Sequence, residues 1–220
     1  MRNCELHDLG RMGYARAFEV QRDLVEKRKR GEIPDQLLFV EHPHVITMGR
    51  NGNDSNLLAS DEVLCRSGIE FHRTNRGGDV TYHGPGQIVG YPIFDLREWK
   101  RDVVAYVRAI EQVLIDATAE FGFSGERVAG ATGVWVRGAK IAAIGVHISR
   151  WVTSHGFALN VTTNLDYFRY IVPCGLTKPV TSMAALGCPA SRDEVLAAIV
   201  RQVPRQFGSA IVQTELQPAL

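Results

Sequence analysis

Residues 76–91 read Arg76-Gly77-Gly78-Asp79-Val80-Thr81-Tyr82-His83-Gly84-Pro85-Gly86-Gln87-Ile88-Val89-Gly90-Tyr91, with five glycines among polar side chains. Such glycine density marks backbone in conformations closed to other residues, or backbone that something must approach closely. The spacing is neither G-x-x-x-x-G-K-[ST] nor G-x-G-x-x-G, so this is no phosphate loop. Composition leaves a structural turn cluster and a ligand-lining loop equally open. A second feature is Cys174, set between Pro173 and Gly175. A single cysteine is more often buried and inert, yet flanking Pro and Gly make a rigid loop that presents its side chain, and a presented thiol can serve as a nucleophile. Third, Lys140 shares a strand face with Ala142, Ile144, Val146 and Ile148, a cation on an otherwise apolar surface. It is either functional or the gatekeeper of an edge strand. His42-Pro43-His44 suggests a metal only weakly: the proline fixes the geometry and no carboxylate or thiol is placed to complete a site.

Such side chains act only where a scaffold holds them. Tyr14, Ala17, Phe18, Leu24 and Val25 fall at roughly helical spacing before Lys27-Arg28-Lys29-Arg30-Gly31, which predicts a helix over 14–30 with a basic end. Those cations either complement the helix dipole and solvate the surface, the commoner arrangement, or form a docking patch for an acidic partner. Val103, Val107, Ile110, Leu114, Ala117 and Phe121 trace a second helix, opened by Asp102 and ended by Gly122. Ser191 and Glu194 form a capping box for a third, which Pro204 interrupts. β-Branched and aromatic runs predict strands at 37–40, 45–48, 88–94, 133–136, 140–148 and 157–161, with a hairpin turn at Arg137-Gly138. Strands outnumber helices without β-α-β alternation, so the expected class is α/β of the α+β type, a mixed sheet with packed helices. With no repeat or linker, residues 1–220 read as a single domain.

Composition narrows the function. At 45% hydrophobic and 22% charged, the 220-residue chain has the material for a core and is not a disordered segment. A formal charge of +1 lacks the positive field of a duplex-binding protein, so nucleic acid is not expected as a partner. No apolar run reaches the ~18 residues of a membrane span, and Met1 to Gly10 carries acidic and His residues where a signal peptide is apolar, which makes the cytoplasm the expected compartment. Cys4, Cys65, Cys174 and Cys188 form no C-x-x-C pair, so neither a disulfide framework nor a zinc site is indicated.

The pattern Arg76-Gly77-Gly78-x-x-Thr81-Tyr82-His83-x-x-Gly86-Gln87-x-x-x-Tyr91 resembles the signature of the lipoyl(octanoyl) transferases, which move octanoyl groups from acyl carrier protein onto lipoyl domains. Further segments agree in order and spacing: Glu41-His42-Pro43 with Thr47-Met48-Gly49-Arg50, Lys140 to Val146, His155 to Asn160, Ile171 to Leu176, and Val180 to Met183. His44 and His147 depart from the usual pattern, at positions that bear on docking or pocket shape rather than on the reaction.

The resemblance implies a biotin/lipoate protein ligase-like catalytic domain, with Cys174 as the nucleophile and Lys140 as its partner. A free thiol with a pKa near ~8.5 is only a few per cent thiolate at neutral pH, and a neighbouring ammonium raises that fraction. Cys174 would take the octanoyl group from acyl carrier protein as a thioester. The ε-amine of a lysine on a lipoyl domain, from 2-oxoacid dehydrogenase subunits or the glycine cleavage H protein, would then take it as an amide. Neither ATP nor a metal is implied. The family pocket corresponds to Arg76, Gly77, Gly78, Asp79, Val80, Thr81, Tyr82 and His83, then Ala143, Ile144 and Gly145, then Gly156, Phe157 and Ala158. His83 is expected to shape the pocket rather than act as a base. The rival readings are an ATP-dependent lipoate or biotin ligase, which needs no cysteine nucleophile, and an inactive acyl-binding protein on the same scaffold.

Overall fold

The computed structural model describes residues 2–173 and 178–214 and arranges their strands in two sheets. In the larger, β1 (Arg2–Arg11) lies parallel to both β2 (Asp35–Glu41) and β11 (Ser209–Gln213). Beyond β2, the strands β6 (Gln87–Ile93), β10 (Val152–Asn160), β9 (Ala139–Ser149), β8 (Ala131–Val136) and β7 (Glu126–Val128) follow, each antiparallel to its neighbour. The smaller sheet has the order β4 (Glu70–Arg73), β3 (Val45–Met48), β5 (Val80–His83), parallel then antiparallel. The mixed sheet with packed helices is thus the observed class.

Side-chain alternation divides the core between the two faces of the large sheet. Leu37, Phe39, Ile88 and Leu159 face the amphipathic helices α3 (Val103–Ala119) and α4 (Arg192–Phe207). Leu38, Val40, Val89 and Tyr91 face α1 (Tyr14–Lys29). Burial on both faces is why 37–40 reads as a continuous apolar run instead of an alternating one. A third cluster, with Ile46, Met48, Val80, Tyr82 and Ile171, fills the small sheet beneath α2 (Asp61–Arg66).

Asp102 caps α3 by accepting the N–H of Ala105 at 2.9 Å, and Ser191 with Glu194 makes a reciprocal capping box on α4. Pro204 does not end α4, which runs on to Phe207 and closes on Gly208 at φ +64°. A proline there removes one donor from the last turn only, while Val203 and Phe207 on either side remain buried in the core. The cations at the basic end of α1 are all paired within the chain. Lys27 pairs with Asp23, Lys29 with Glu26 and Arg30 with Glu32, and Arg28 is buried against Asp35, Asp95 and Glu98. Arg137 and Gly138 have positive φ of 50° and 77°, the mirror-image hairpin turn that joins β8 to β9.

Candidate active site

Where β5, β6, β9 and β10 meet the start of α1, a cleft opens. Arg76, Gly78, Thr81, His83, Ala143, Ile144, Gly145, Gly156, Phe157 and Ala158 line it, joined by Tyr14, Val89, Tyr91 and His155. Four residues of the expected pocket lie elsewhere. The two-residue period of β5 turns Thr81 and His83 to the cleft, and Val80 and Tyr82 into the core of the small sheet. Gly77 donates its N–H to the Val146 oxygen at 2.8 Å. The Asp79 carboxylate accepts from the Asn53 N–H at 3.1 Å and from the Asn56 side chain.

Small residues leave the cleft open. Gly145 and Gly156 are register partners across β9 and β10, as are Ala143 and Ala158. A Cβ on Gly156 would stand 2.2 Å from the Gly90 oxygen, so the close approach of β6 requires glycine there.

The polar groups of the wall are neutral or already engaged. Burial pushes His83 down to about 3, and its Nδ1 lies 2.8 Å from Gln87 Oε1. Burial likewise pushes His155 down to about 3, and its Nε2 lies 2.7 Å from Asn75 Oδ1. The Tyr91 phenol is raised well above its ordinary value by burial, and its hydroxyl meets His42 Nε2 at 2.7 Å. Arg76 turns its guanidinium onto oxygens of its surroundings, donating to the Thr47 carbonyl at 2.6 Å and to Gly77 O at 3.1 Å. Such a wall suits an uncharged, largely apolar guest. An imidazole with a pKa of about 3 is a poor proton acceptor at neutral pH, so His83 is suited to shaping the cleft.

Thr81, Ala143 and Ala158 also line a second, narrower cleft, bordered by Lys140, Asn160, Pro173 and Val180. These three residues are common to both clefts. Lys140 is 7% exposed; its Nζ donates to Thr132 O at 3.1 Å and lies 4.8 Å from the centre of the Trp135 ring. Lys178 shares that ring at 5.1 Å. Gly133, at φ +128°, makes room, since a Cβ there would sit 2.5 Å from Ala142 O and 3.4 Å from Lys140 Cε. Sequence reasoning missed Gly133 and Trp135; their signal was a glycine two residues before an aromatic, on the same strand face, within the run 133–136. Cys174 lies outside the described residues, together with Gly175, Leu176 and Thr177. On the near side Pro173 borders the Lys140 cleft. On the far side the chain pairs with the lysine itself: Lys140 N–H donates to Pro179 O at 2.8 Å and Thr181 N–H to Lys140 O at 2.9 Å.

Among the described residues no group of three or more His, Cys, Asp or Glu could hold a metal ion. His42 bonds to Met12 and Tyr91, and His44 to Tyr82. Cys4 is buried, which, with Asp35 and Glu5 nearby, pushes its thiol far up. No described helix is long and apolar enough to cross a membrane.

The model of the lipoyl protein ligase A/B catalytic domain matches residues 13–204. Over 207 residues the chain is 65% identical to the octanoyltransferase of Solibacter usitatus, covering 94% of each chain. A bipartite lipoate protein ligase of Thermoplasma acidophilum, studied with its E2 lipoyl domain, superposes with a TM-score of 0.81 at 16% identity, over 99% of this chain and 89% of that one. Lipoate-protein ligase A bound with ATP superposes at 0.77, also at 16% identity, over 99% and 90%. The structural likeness carries the fold alone; the sequence likeness distinguishes the branch.

Proposed function

The chain belongs to the lipoyl protein ligase A/B catalytic domain family, and on that premise we infer that residues 1–220 form a single catalytic unit that carries octanoyl groups through a thioester on Cys174. Octanoyl transfer in protein lipoylation, an acyltransferase activity, is the reaction of this chain. The donor is octanoyl-acyl carrier protein. The acceptors are lysines on lipoyl domains, those of 2-oxoacid dehydrogenase subunits and of the glycine cleavage H protein. The work is cytoplasmic, without ATP or metal.

One observation supports this reading: a cleft whose polar groups are neutral or, like Arg76, already engaged shares Thr81, Ala143 and Ala158 with a second cleft bordered by the buried Lys140 and by Pro173, the residue before Cys174. About seven methyl and methylene carbons of an octanoyl chain, at ~0.8 kcal/mol each, gain roughly 6 kcal/mol if fully buried. The thiolate of Cys174 attacks the donor thioester carbon. The bond to the carrier thiol breaks, and that sulfur leaves with a proton from the Lys140 ammonium. Neutral Lys140 then takes a proton from the incoming acceptor amine as it attacks the enzyme thioester. An amide forms and Cys174 leaves as thiolate. Both steps exchange an acyl group already activated as a thioester, which is why ATP is not called for.

Intact-mass spectrometry after mixing with octanoyl-acyl carrier protein, without ATP, tests the reading. The expected result is a gain of one octanoyl group that hydroxylamine removes and that Cys174→Ser no longer carries as a thioester. An unmodified wild-type protein, or strict dependence on ATP with free octanoate, overturns it.

A further inference from the structure

Around the Lys140 cleft, hydrogen bonds run in a single direction. The main-chain oxygen of Thr181 can only accept, so Asn160 turns its Nδ2 to it at 3.0 Å and leaves Oδ1 to accept from Gln87 Nε2 at 2.9 Å. Gln87 Nε2 also donates to the main-chain oxygen of Tyr82 at 3.2 Å, which leaves Oε1 to accept from His83 Nδ1 at 2.8 Å. Two carbonyls at the ends therefore fix both amide orientations and place the His83 proton on Nδ1. His83, Gln87 and Asn160 are all buried, where an unpaired amide is costly. The main-chain oxygen of Asn160 also accepts from Met183 N–H at 3.0 Å, a bond that the side-chain variants below retain. The strap 179–183 is thus paired with Lys140 through Pro179 and Thr181, and with Asn160 through Thr181 and Met183. Val180, in its middle, lines the cleft.

We propose that Asn160 is a positioning residue for Lys140: it holds the strap whose backbone pairs with that lysine, and Gln87 and His83 set the direction of its amide. The proposal rests on the acid–base role given to Lys140 above. Asn160 acts through the strap, not on the acyl group.

Asn160→Ala and Asn160→Asp test it. A protonated carboxyl offers one donor and one acceptor as the amide does, whereas an ionised one sets an oxygen against Thr181 O. Burial raises the pKa of such a carboxyl while the Lys140 ammonium bordering the same cleft opposes that shift, and His83, held down to about 3, stays neutral across the scan. In Asn160→Ala, kcat is expected to fall about tenfold or more with KM for the octanoyl donor little changed. Acylation of Lys140 by an N-hydroxysuccinimide ester, read by peptide mass spectrometry, is expected to rise several-fold. Asn160→Asp should match Asn160→Ala at about pH 8 and, relative to wild type at the same pH, recover about fivefold by about pH 5.5. A wild-type kcat in Asn160→Ala, or an Asn160→Asp to wild-type ratio that stays constant with pH, overturns the proposal. If Asn160→Ala does not fold, Asn160→Asp at the two pH values decides. If the wild type transfers no octanoyl group, the proposed function falls, and labelling of Lys140 still decides for or against the strap.

Discussion

Replacing Gly156 by alanine perturbs stability and selectivity through one contact. The new Cβ would stand 2.2 Å from the Gly90 oxygen and 2.6 Å from Pro92 Cδ, where ordinary contact begins at 3.4 Å. Both obstacles belong to β6, so β6 and β10 must part by about 1 Å in the middle of the large sheet. Overpacking of this kind costs about 1–3 kcal/mol. Each kcal/mol lowers Tm by about 2–4 °C in a chain of this length, so a fall of roughly 2–12 °C is expected. Because Gly156 and Phe157 also wall the cleft, the shift takes room from the acyl chain. Each methylene turned back to water loses about 0.8 kcal/mol, or about fourfold in kcat/KM. Calorimetry gives the first number, and competition between octanoyl and hexanoyl carrier proteins gives the second. Gly13→Ser is the control: that glycine caps α1 at φ −60° and meets nothing within 4 Å, so Tm should hold or rise slightly. A Gly156→Ala variant with wild-type Tm and wild-type chain preference would refute the reasoning.

Lys140→Ala should move the pH midpoint of Cys174 alkylation up toward the ~8.5 of a free thiol; an unshifted profile removes the lysine from its role. His42, His83 and His155 are pushed by burial to about 4, 3 and 3, below the ~6.5 of the unfolded chain. Between those values the unfolded state binds protons the folded state does not, so their stabilisation is complete above ~6.5 and is lost as pH falls, at up to about 4 kcal/mol per unit for the three. Urea melts at about pH 7 and pH 5.5 that give equal free energies would contradict this. Arg28→Met leaves Asp35, 2% exposed and already raised by desolvation, without its closest cation, and should cost about 3 kcal/mol or more, seen as a large drop in Tm.

The legible parts of the fold were those whose burial leaves a periodic trace. α3 and α4 announce themselves by apolar stripes and by the side-chain caps Asp102 and Ser191. β3 and the doubly buried β2 do so by apolar runs. β1 was missed because part of its burial is polar: His7 sits against Gln36 with Nε2 2.8 Å from Oε1, so the strand lacks the alternation that marks its neighbours. β5 was hidden in the glycine-rich segment and read as loop, although its four residues are all buried, alternately toward the cleft and toward the small core. β7 and β11 are edge strands of only three and five residues, too short to leave a periodic trace. Lys140 was visible as a cation on an apolar strand, but its setting was not: Trp135 faces it as register partner across the hairpin only because a bulge in the β8–β9 ladder sets that register, and Asn160 reaches the same cleft from β10. Cys174 was marked by its flanking residues and by the family resemblance, not by any periodicity.

The double anchoring around Cys174 has an evolutionary corollary. Val172 N–H donates to Asn56 O at 2.8 Å and Lys140 N–H to Pro179 O at the same distance, with six residues between the two bonded positions, Cys174 among them. An insertion or deletion between 173 and 178 must be absorbed by one of these bonds. Descendants of this chain should therefore keep Cys174 and hold the residue count between 173 and 178.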